Sequence, residues 1–155
     1  MTFDAATILL IEDDSVDAMA VKRAFRDLKI ANPIVEAHNG IEALEHLRGG
    51  HGHAPLRWPC LVLLDLKMPR MGGHEFLAIV RDDPSLRSLL VFVLTTSELE
   101  EDRTRAYDKN IAGYVLKHNT NRDFAEKIRI LVEYWRTITL PPVRQGCATL
   151  PDRLD

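Results

Sequence analysis

Five short apolar runs punctuate the chain, and amphipathic or polar stretches separate them. Ile8 to Ile11 (ILLI) runs directly into Glu12, Asp13 and Asp14. Leu61 to Leu64 (LVLL) ends on Asp65, after which Pro69, Gly72 and Gly73 break the chain. Leu89 to Leu94 ends on Thr95, Thr96 and Ser97, and Ile111 to Leu116 ends on Lys117. Ile34 to Ala37 is a weaker run. The runs at 8–11 and 61–64, apolar throughout and bounded by turn residues, predict strands buried on both faces of a parallel sheet; 89–94 is a third strongly apolar strand, and 34–37 and 111–116 read as short strands.

The intervening stretches carry a helical period. Asp14 or Ser15 is placed to cap a first helix with Val16, Ala20, Ala24 and Leu28 inward and Val21 and Phe25 beside them, stopped by Asn32-Pro33. Asn39 with Glu42 has capping-box spacing before Ile41, Leu44 and Leu47. His74 to Arg81 forms a third helix, ended by Asp83-Pro84. Ser97 with Glu100 has capping-box spacing before a largely polar fourth helix, which runs to about Lys109. Thr120 is expected to cap the last helix, where Phe124, Ile128, Leu131 and Trp135 share one face and Ile130 and Tyr134 lie off it. That apolar sector is wider than packing on one sheet requires, which suggests a partner surface.

The order is βα repeated five times, which predicts one α/β domain: a doubly wound parallel sheet with right-handed crossovers and helices on both faces. A length of 155 residues fits one domain, followed here by a short arm from residue 137. Thr137 to Leu140 has the pattern of a short added strand.

Composition narrows the function classes. The chain is 46% hydrophobic and 28% charged, with net charge -3 and no basic run, which argues against nucleic acid. The apolar runs are about half a membrane span, and the N-terminus lacks the basic flank and cleavage site of a signal peptide. Cys60 and Cys147 have no metal-ligand spacing, and Cys60, opening the central strand, reads as an inert core thiol. A cytoplasmic location is expected. His51 and His53 lie two apart in the Gly- and Pro-containing loop 49–59; with no third ligand evident in the sequence, that loop reads as solvated.

Ligands of open α/β sheets bind at the C-terminal edge of the strands. That edge gathers Glu12, Asp13, Asp65, Thr95 and Lys117. Each has an ordinary reading alone: helix-capping or turn acids, a β-branched strand residue and a surface lysine. Together they fit other chemistry. Clustered carboxylates repel, and a hard divalent cation such as Mg²⁺ relieves that repulsion while keeping Asp65 ionised as a nucleophile. Lys117 offers positive charge to a phosphoryl oxygen, and Thr95 offers a hydroxyl.

At these residues the sequence resembles the receiver domain of two-component response regulators. The resemblance spans about residues 5 to 136 and rests on ILLIEDDSVD, LVLLDLKMP, VLTTS and GYVLK, in order and at family spacing. It implies a flavodoxin-like (βα)5 fold with strand order 2-1-3-4-5, over residues 1–136, and a non-enzymatic signalling role. Asp65 matches the phosphoacceptor. Asp13 matches the main metal-ligating acid, with Glu12 beside it, and Lys67 matches the position whose backbone carbonyl joins the Mg²⁺ site. Thr95 and Lys117 match the phosphate-contacting pair, and Tyr114 matches the switch aromatic, though an edge-strand Tyr exposing its hydroxyl is an equal reading of that residue.

The loop 49–59, the LTTS segment and the ending EYWRTITLPP are similar to the small regulators of phytochrome-type histidine kinases. That subgroup implies a bacteriophytochrome-like sensor kinase as partner, no effector domain, and a homodimer through the fourth helix, fifth strand, last helix and C-terminal arm. Two residues depart from the family pattern: His118 stands where many receivers have Pro after the Lys, and Gly72 where Asp is usual. Two other classes remain open. One is a pseudo-receiver that is never phosphorylated. The other is an aspartyl-phosphate hydrolase, but such enzymes need a second acid two residues after the nucleophile, where Lys67 stands.

Overall fold

The computed structural model describes residues 2–56, 58–117 and 121–142. Five strands, β1 (Thr7–Ile11), β2 (Ile34–Ala37), β3 (Cys60–Leu64), β4 (Leu90–Thr95) and β5 (Gly113–Leu116), alternate with α1 (Ser15–Asp27), α2 (Gly40–Arg48), α3 (Gly73–Asp82), α4 (Glu100–Asp108) and α5 (Asn121–Thr137). The sheet is parallel in the order β2-β1-β3-β4-β5, the flavodoxin-like order expected.

Every residue of β1 and β3 is buried. Because side chains alternate across a strand, the two strands feed two separate cores. Leu9, Ile11, Val62, Leu64, Val91 and Val93 face α2 and α3, meeting Leu44, Leu47, Phe76, Leu77 and Val80. Ile8, Leu10, Leu61, Leu63, Phe92 and Leu94 face α1 and α5, meeting Val21, Phe25, Ile128, Val132 and Trp135. Trp135 is fully buried and packs its ring against Phe3, Phe25 and Phe92, with centroids 5.5, 6.2 and 5.5 Å away. An apolar run with no polar alternation therefore reflects a strand covered twice.

The helix faces differ from the sequence reading in their first turns. Val16 and Ile41, expected inward, are exposed. The inward positions go to Ala18 on α1 and to Ala43 beside Leu44 on α2; these small residues let the helices approach the sheet closely, and the branched side chains turn to the rim. Helix α1 also ends at Asp27, earlier than Asn32-Pro33, because Lys29 turns the chain at φ 55°. The Asn39 cap forms, accepting the Glu42 N–H at 2.9 Å, but the Glu42 carboxylate returns to the His38 N–H instead of that of Asn39. The Ser97–Glu100 capping box does not form: Leu99 is the N-cap residue of α4, and the Ser97 hydroxyl donates to Asp102 at 2.6 Å. Thr137 closes α5 and adds no strand, while Ile138 and Leu140 fold back onto the core around Trp135. The expected Thr120 cap, the Lys117-His118 peptide and Cys147 lie outside the described residues.

Gly73 fixes how α3 enters the molecule. Its N–H donates to Leu66 O at 3.0 Å. A Cβ at this position would stand 2.5 Å from the Asp65 carbonyl oxygen and 2.8 Å from Leu66 Cα. Both are backbone atoms of the segment that carries Asp65, so a side chain forces β3 and α3 apart. Gly73→Ala is expected to destabilise the fold by about 1–3 kcal/mol, the usual range for overpacking, read as a lower urea midpoint. An unchanged midpoint would show that this segment has slack.

Candidate functional site

The C-terminal edge of the sheet collects the residues named from the sequence. Asp65 follows β3 directly, and its side chain is about one-tenth exposed. Glu12 follows β1 and is buried, whereas Asp13 is exposed. Parallel pairing of β1 with β3 aligns Ile11 with Leu64, so the acids after each strand leave the sheet side by side. Carboxylate oxygens of Glu12, Asp13 and Asp65 all lie within 4.8 Å of one another. A cluster of two buried acids and one exposed acid at a loop edge suits a hard divalent cation with one or two carboxylates and several waters. The donor set therefore fits Mg²⁺.

Lys117 follows β5 and reaches back across the edge. Its ammonium lies 2.5 Å from Glu12 Oε2, 2.9 Å from Asp17 Oδ2 and 3.6 Å from Asp65 Oδ2. Burial alone would lower the Lys117 pKa, but the hydrogen bond to Glu12 and the charge of Asp65 outweigh it and raise it, so the amine stays charged. Glu12 moves up from its ordinary value because burial disfavours the carboxylate; Lys117 opposes that rise and Asp65 adds to it. A cation bound beside Glu12 would restore its ionised form.

Thr95 ends β4 and is fully buried. Its carbonyl accepts the Lys117 N–H at 2.8 Å, which ties the two phosphate-side candidates together through the backbone. Its Oγ1 accepts the Ser97 N–H at 3.2 Å. Tyr114 is half-buried on β5 and packs against the core facing α2 and α3; its hydroxyl donates to Ser97 O at 2.8 Å. Of the two readings left open for Tyr114, the hydroxyl here is engaged with the β4–α4 segment. Lys67 is exposed, and its N–H lies 3.4 Å from Asp65 Oδ1.

The structure adds residues that sequence reasoning did not single out. Asp17 sits one helical turn beyond Asp13, within the same acidic segment, and its position in the first turn of α1 was the available signal. Asp102 has no comparable signal. It accepts from Ser97 Oγ at 2.6 Å and meets His74 Nε2 at 3.1 Å, joining α3, the β4–α4 segment and α4. The Ser97 hydrogen bond is the main cause that holds the Asp102 carboxyl below its usual range, and His74 helps against burial. Cys60 behaves as expected of a core thiol: burial pushes its pKa up to about 12. Loop residue His53, read as solvated, lies against His46 with ring centroids 4.0 Å apart.

Comparison with characterised proteins places this edge in context. Residues 8–129 match the response regulator receiver domain family. The chain is 36% identical over 132 residues to the probable methanogenesis regulatory protein FilR2 of Methanothrix harundinacea, covering 85% of this chain and 84% of that protein. It is 31% identical over 137 residues to response regulator Rcp1 of Synechocystis sp., covering 86% and 92%; a crystal structure of the Mn²⁺-bound form of Rcp1 superimposes with a TM-score of 0.77, covering 88% of this chain and 99% of that one. The phosphorylated cyanobacterial phytochrome response regulator RcpA is 32% identical, with a TM-score of 0.81 and coverage of 88% and 98%. The chain belongs to the response regulator receiver domain family and is similar to the single-domain phytochrome response regulators within it.

Proposed function

We propose that this protein accepts a phosphoryl group on Asp65 from a phosphohistidine of a sensor histidine kinase, and that the kinase is of the bacteriophytochrome type. The observation that carries the reading is the convergence of Glu12, Asp13, Asp65 and Lys117 at one edge of the sheet. The phytochrome assignment rests on the likeness to Rcp1 and RcpA.

Glu12, Asp13, Asp65 and the Lys67 backbone carbonyl are the groups that would hold Mg²⁺. When bound, the ion supplies Lewis-acid stabilisation of charge on the transferring phosphoryl oxygens. A carboxylate oxygen of Asp65 forms the new P–O bond as the P–N bond to the donor imidazole breaks. The bonding pair returns to the imidazole nitrogen, which takes up a proton. Lys117 shifts from the carboxylates toward the phosphoryl oxygens, and the Thr95 hydroxyl turns to donate to one of them. The transfer consumes no substrate in turnover. Lys67 occupies the position where a hydrolase needs its second acid, which favours a switch over a phosphatase.

The acquired charge of about -1.5 to -2 draws Lys117 and Thr95 together, and both connect to the β4–α4 segment and β5. The output surface is then α4, β5 and α5. Leu99 and Tyr107 of the α4 region and Ile130 and Tyr134 of α5 are exposed, and a groove of about 390 Å³ between β5 and α5 is lined by Tyr114, Val115, Leu116, Lys127, Ile130 and Leu131. A second copy of the chain covers this face, with the arm after α5 extending the contact, and the homodimer acts in the cytoplasm. The exposed Val16 and Met19 of α1, the helix that follows the acids after β1, offer the kinase an apolar foothold.

Acetyl phosphate with Mg²⁺ is expected to add one phosphoryl group by intact mass. Asp65→Asn and omission of Mg²⁺ each abolish the gain while the fold persists by circular dichroism; undiminished labelling of Asp65→Asn would sink the proposal. Lys117→Met is expected to push the Glu12 carboxyl pKa further up, because the lysine now opposes the rise. Carbon-13 NMR of the glutamate side chains measures this, and an unmoved titration would mean that Lys117 does not govern the pocket. Tyr134→Glu is expected to weaken the dimer at least tenfold in sedimentation velocity, since a charge would be desolvated at the interface; an unchanged association state would place the contact elsewhere.

A further inference from the structure

A second cluster of ligand-type side chains lies on α2 and the loop that follows it, sharing no residue with the acid pocket. Glu42 and His46 stand four residues apart on α2, on one face of the helix. His53 comes from the loop. Ligand atoms of the three side chains all lie within 4.8 Å of one another. We propose that Glu42, His46 and His53 bind a divalent transition-metal ion of the zinc type.

The loop is built to deliver His53. Gly49 closes α2, its N–H donating to Glu45 O at 2.8 Å. The chain then reverses through Gly49, Gly50, His51 and Gly52, all at positive φ. Gly50 and His53 exchange both backbone hydrogen bonds, at 3.0 and 2.9 Å. Three residues later, Leu56 N–H donates to His46 O at 3.0 Å, and the Leu56 side chain is buried. The backbone is therefore fixed on both sides of His53, and one of those anchors is His46 itself.

Glu42 is anchored from outside the cluster, with its other oxygen toward His46. Glu42 Oε2 is held by the His38 N–H at 3.1 Å and by His38 Nδ1 at 2.9 Å, while Oε1 faces His46 Nε2 at 3.7 Å. A carboxylate anchored through one oxygen by an outer partner is a recurring arrangement around bound metals. Burial pushes the Glu42 carboxyl up, but its bonds from His38 and the nearby rings outweigh this and keep it below its ordinary pKa, ionised. Glu45 adds a second carboxylate, 3.8 Å from His53 Nε2 and 4.0 Å from His51 Nε2.

Two imidazoles and a glutamate form a ligand set used by zinc, with the fourth position left to water or another oxygen. The nitrogen donors favour Zn²⁺, Cu²⁺ or Ni²⁺ over Mg²⁺, which takes oxygen ligands. Simple ion pairing explains each His–Glu contact singly. The two imidazole rings also stand with centroids 4.0 Å apart, close enough for one ion to be shared between them. Reaching bonding distances of about 2.0–2.2 Å takes side-chain rotation, with the backbone already in place. The bound ion would clamp α2 to the segment leading into β3, the strand that carries Asp65.

The test is calorimetric titration of the full chain with Zn²⁺ in saturating Mg²⁺, which keeps the acid pocket filled. Wild type is expected to take one equivalent. His53→Ala, at a side chain about one-third exposed, is expected to lose at least tenfold in affinity without unfolding. His51→Ala, whose ring is 80% exposed, is expected to retain it. Zinc-edge X-ray absorption of the wild-type complex is expected to report two imidazoles in the coordination shell. Absence of Zn²⁺ binding in excess Mg²⁺, or equal affinity in wild type and His53→Ala, would overturn the proposal.

Discussion

The arrangement of this protein turns on one ammonium group among several acids. Glu12, Asp13, Asp17 and Asp65 lie at one edge of the sheet, and two of these acids are buried. Without compensation, packed carboxylates either protonate or push apart. Lys117 supplies the compensation by crossing from the last strand to the first, where it contacts Glu12 and Asp17 and stands 3.6 Å from Asp65. The strand order follows the same need. β5 is an edge strand, two strands from β3, yet its terminal lysine must reach a carboxylate after β1. A long, flexible side chain does so; an arginine would bring a wider fork and a fixed charge that moves less easily to a new oxyanion.

That electrostatic arrangement explains why the site was largely legible in the chain. Each candidate residue ends an apolar run, and parallel strands align their ends, so Glu12, Asp65, Thr95 and Lys117 converge whatever the details of the helices. The apolar runs were equally legible because both sheet faces are covered. The helices were read less well. Val16 and Ile41 have the hydrophobicity of core residues and occupy first turns, where the helix is passing from the loop edge to the sheet; Ala18 and Ala43 take the core instead because close helix–sheet approach selects size over hydrophobicity. Asp17 and Asp102 were missed for another reason. Their partners lie about 100 and 28 residues away, Lys117 and His74; the first-turn position of Asp17 marks an acid at this edge but not its lysine, and Asp102 carries no local mark at all.

Ser97 illustrates the limit of local rules. Its spacing from Glu100 matches a capping box, yet its hydroxyl bonds to Asp102 and its carbonyl accepts from Tyr114. Asp102 in turn meets His74, at the start of the helix that Gly73 seats against the Asp65 backbone. The β4–α4 segment is thus held by its neighbours on three sides: Thr95 through the Ser97 N–H, Tyr114 through the Ser97 carbonyl, and Asp102 through the Ser97 hydroxyl. One residue makes all three contacts, so a movement of Thr95 cannot leave Tyr114 and Asp102 undisturbed.

This concentration matters for transmission. Packed interfaces respond to small displacements by changing between discrete arrangements, because interiors do not deform continuously. Here the Thr95 hydroxyl accepts from Ser97, and a phosphoryl oxygen on Asp65 would draw that hydroxyl away. The Ser97 N–H then loses its partner, and a buried donor without a partner costs about 1–3 kcal/mol. The segment has reason to rearrange as a unit, carrying Tyr114 and the start of α4 with it. A charge placed on one oxygen at the sheet edge would thereby reach the surface where Leu99, Tyr107, Ile130 and Tyr134 stand exposed, through a single residue whose three polar groups are all already committed.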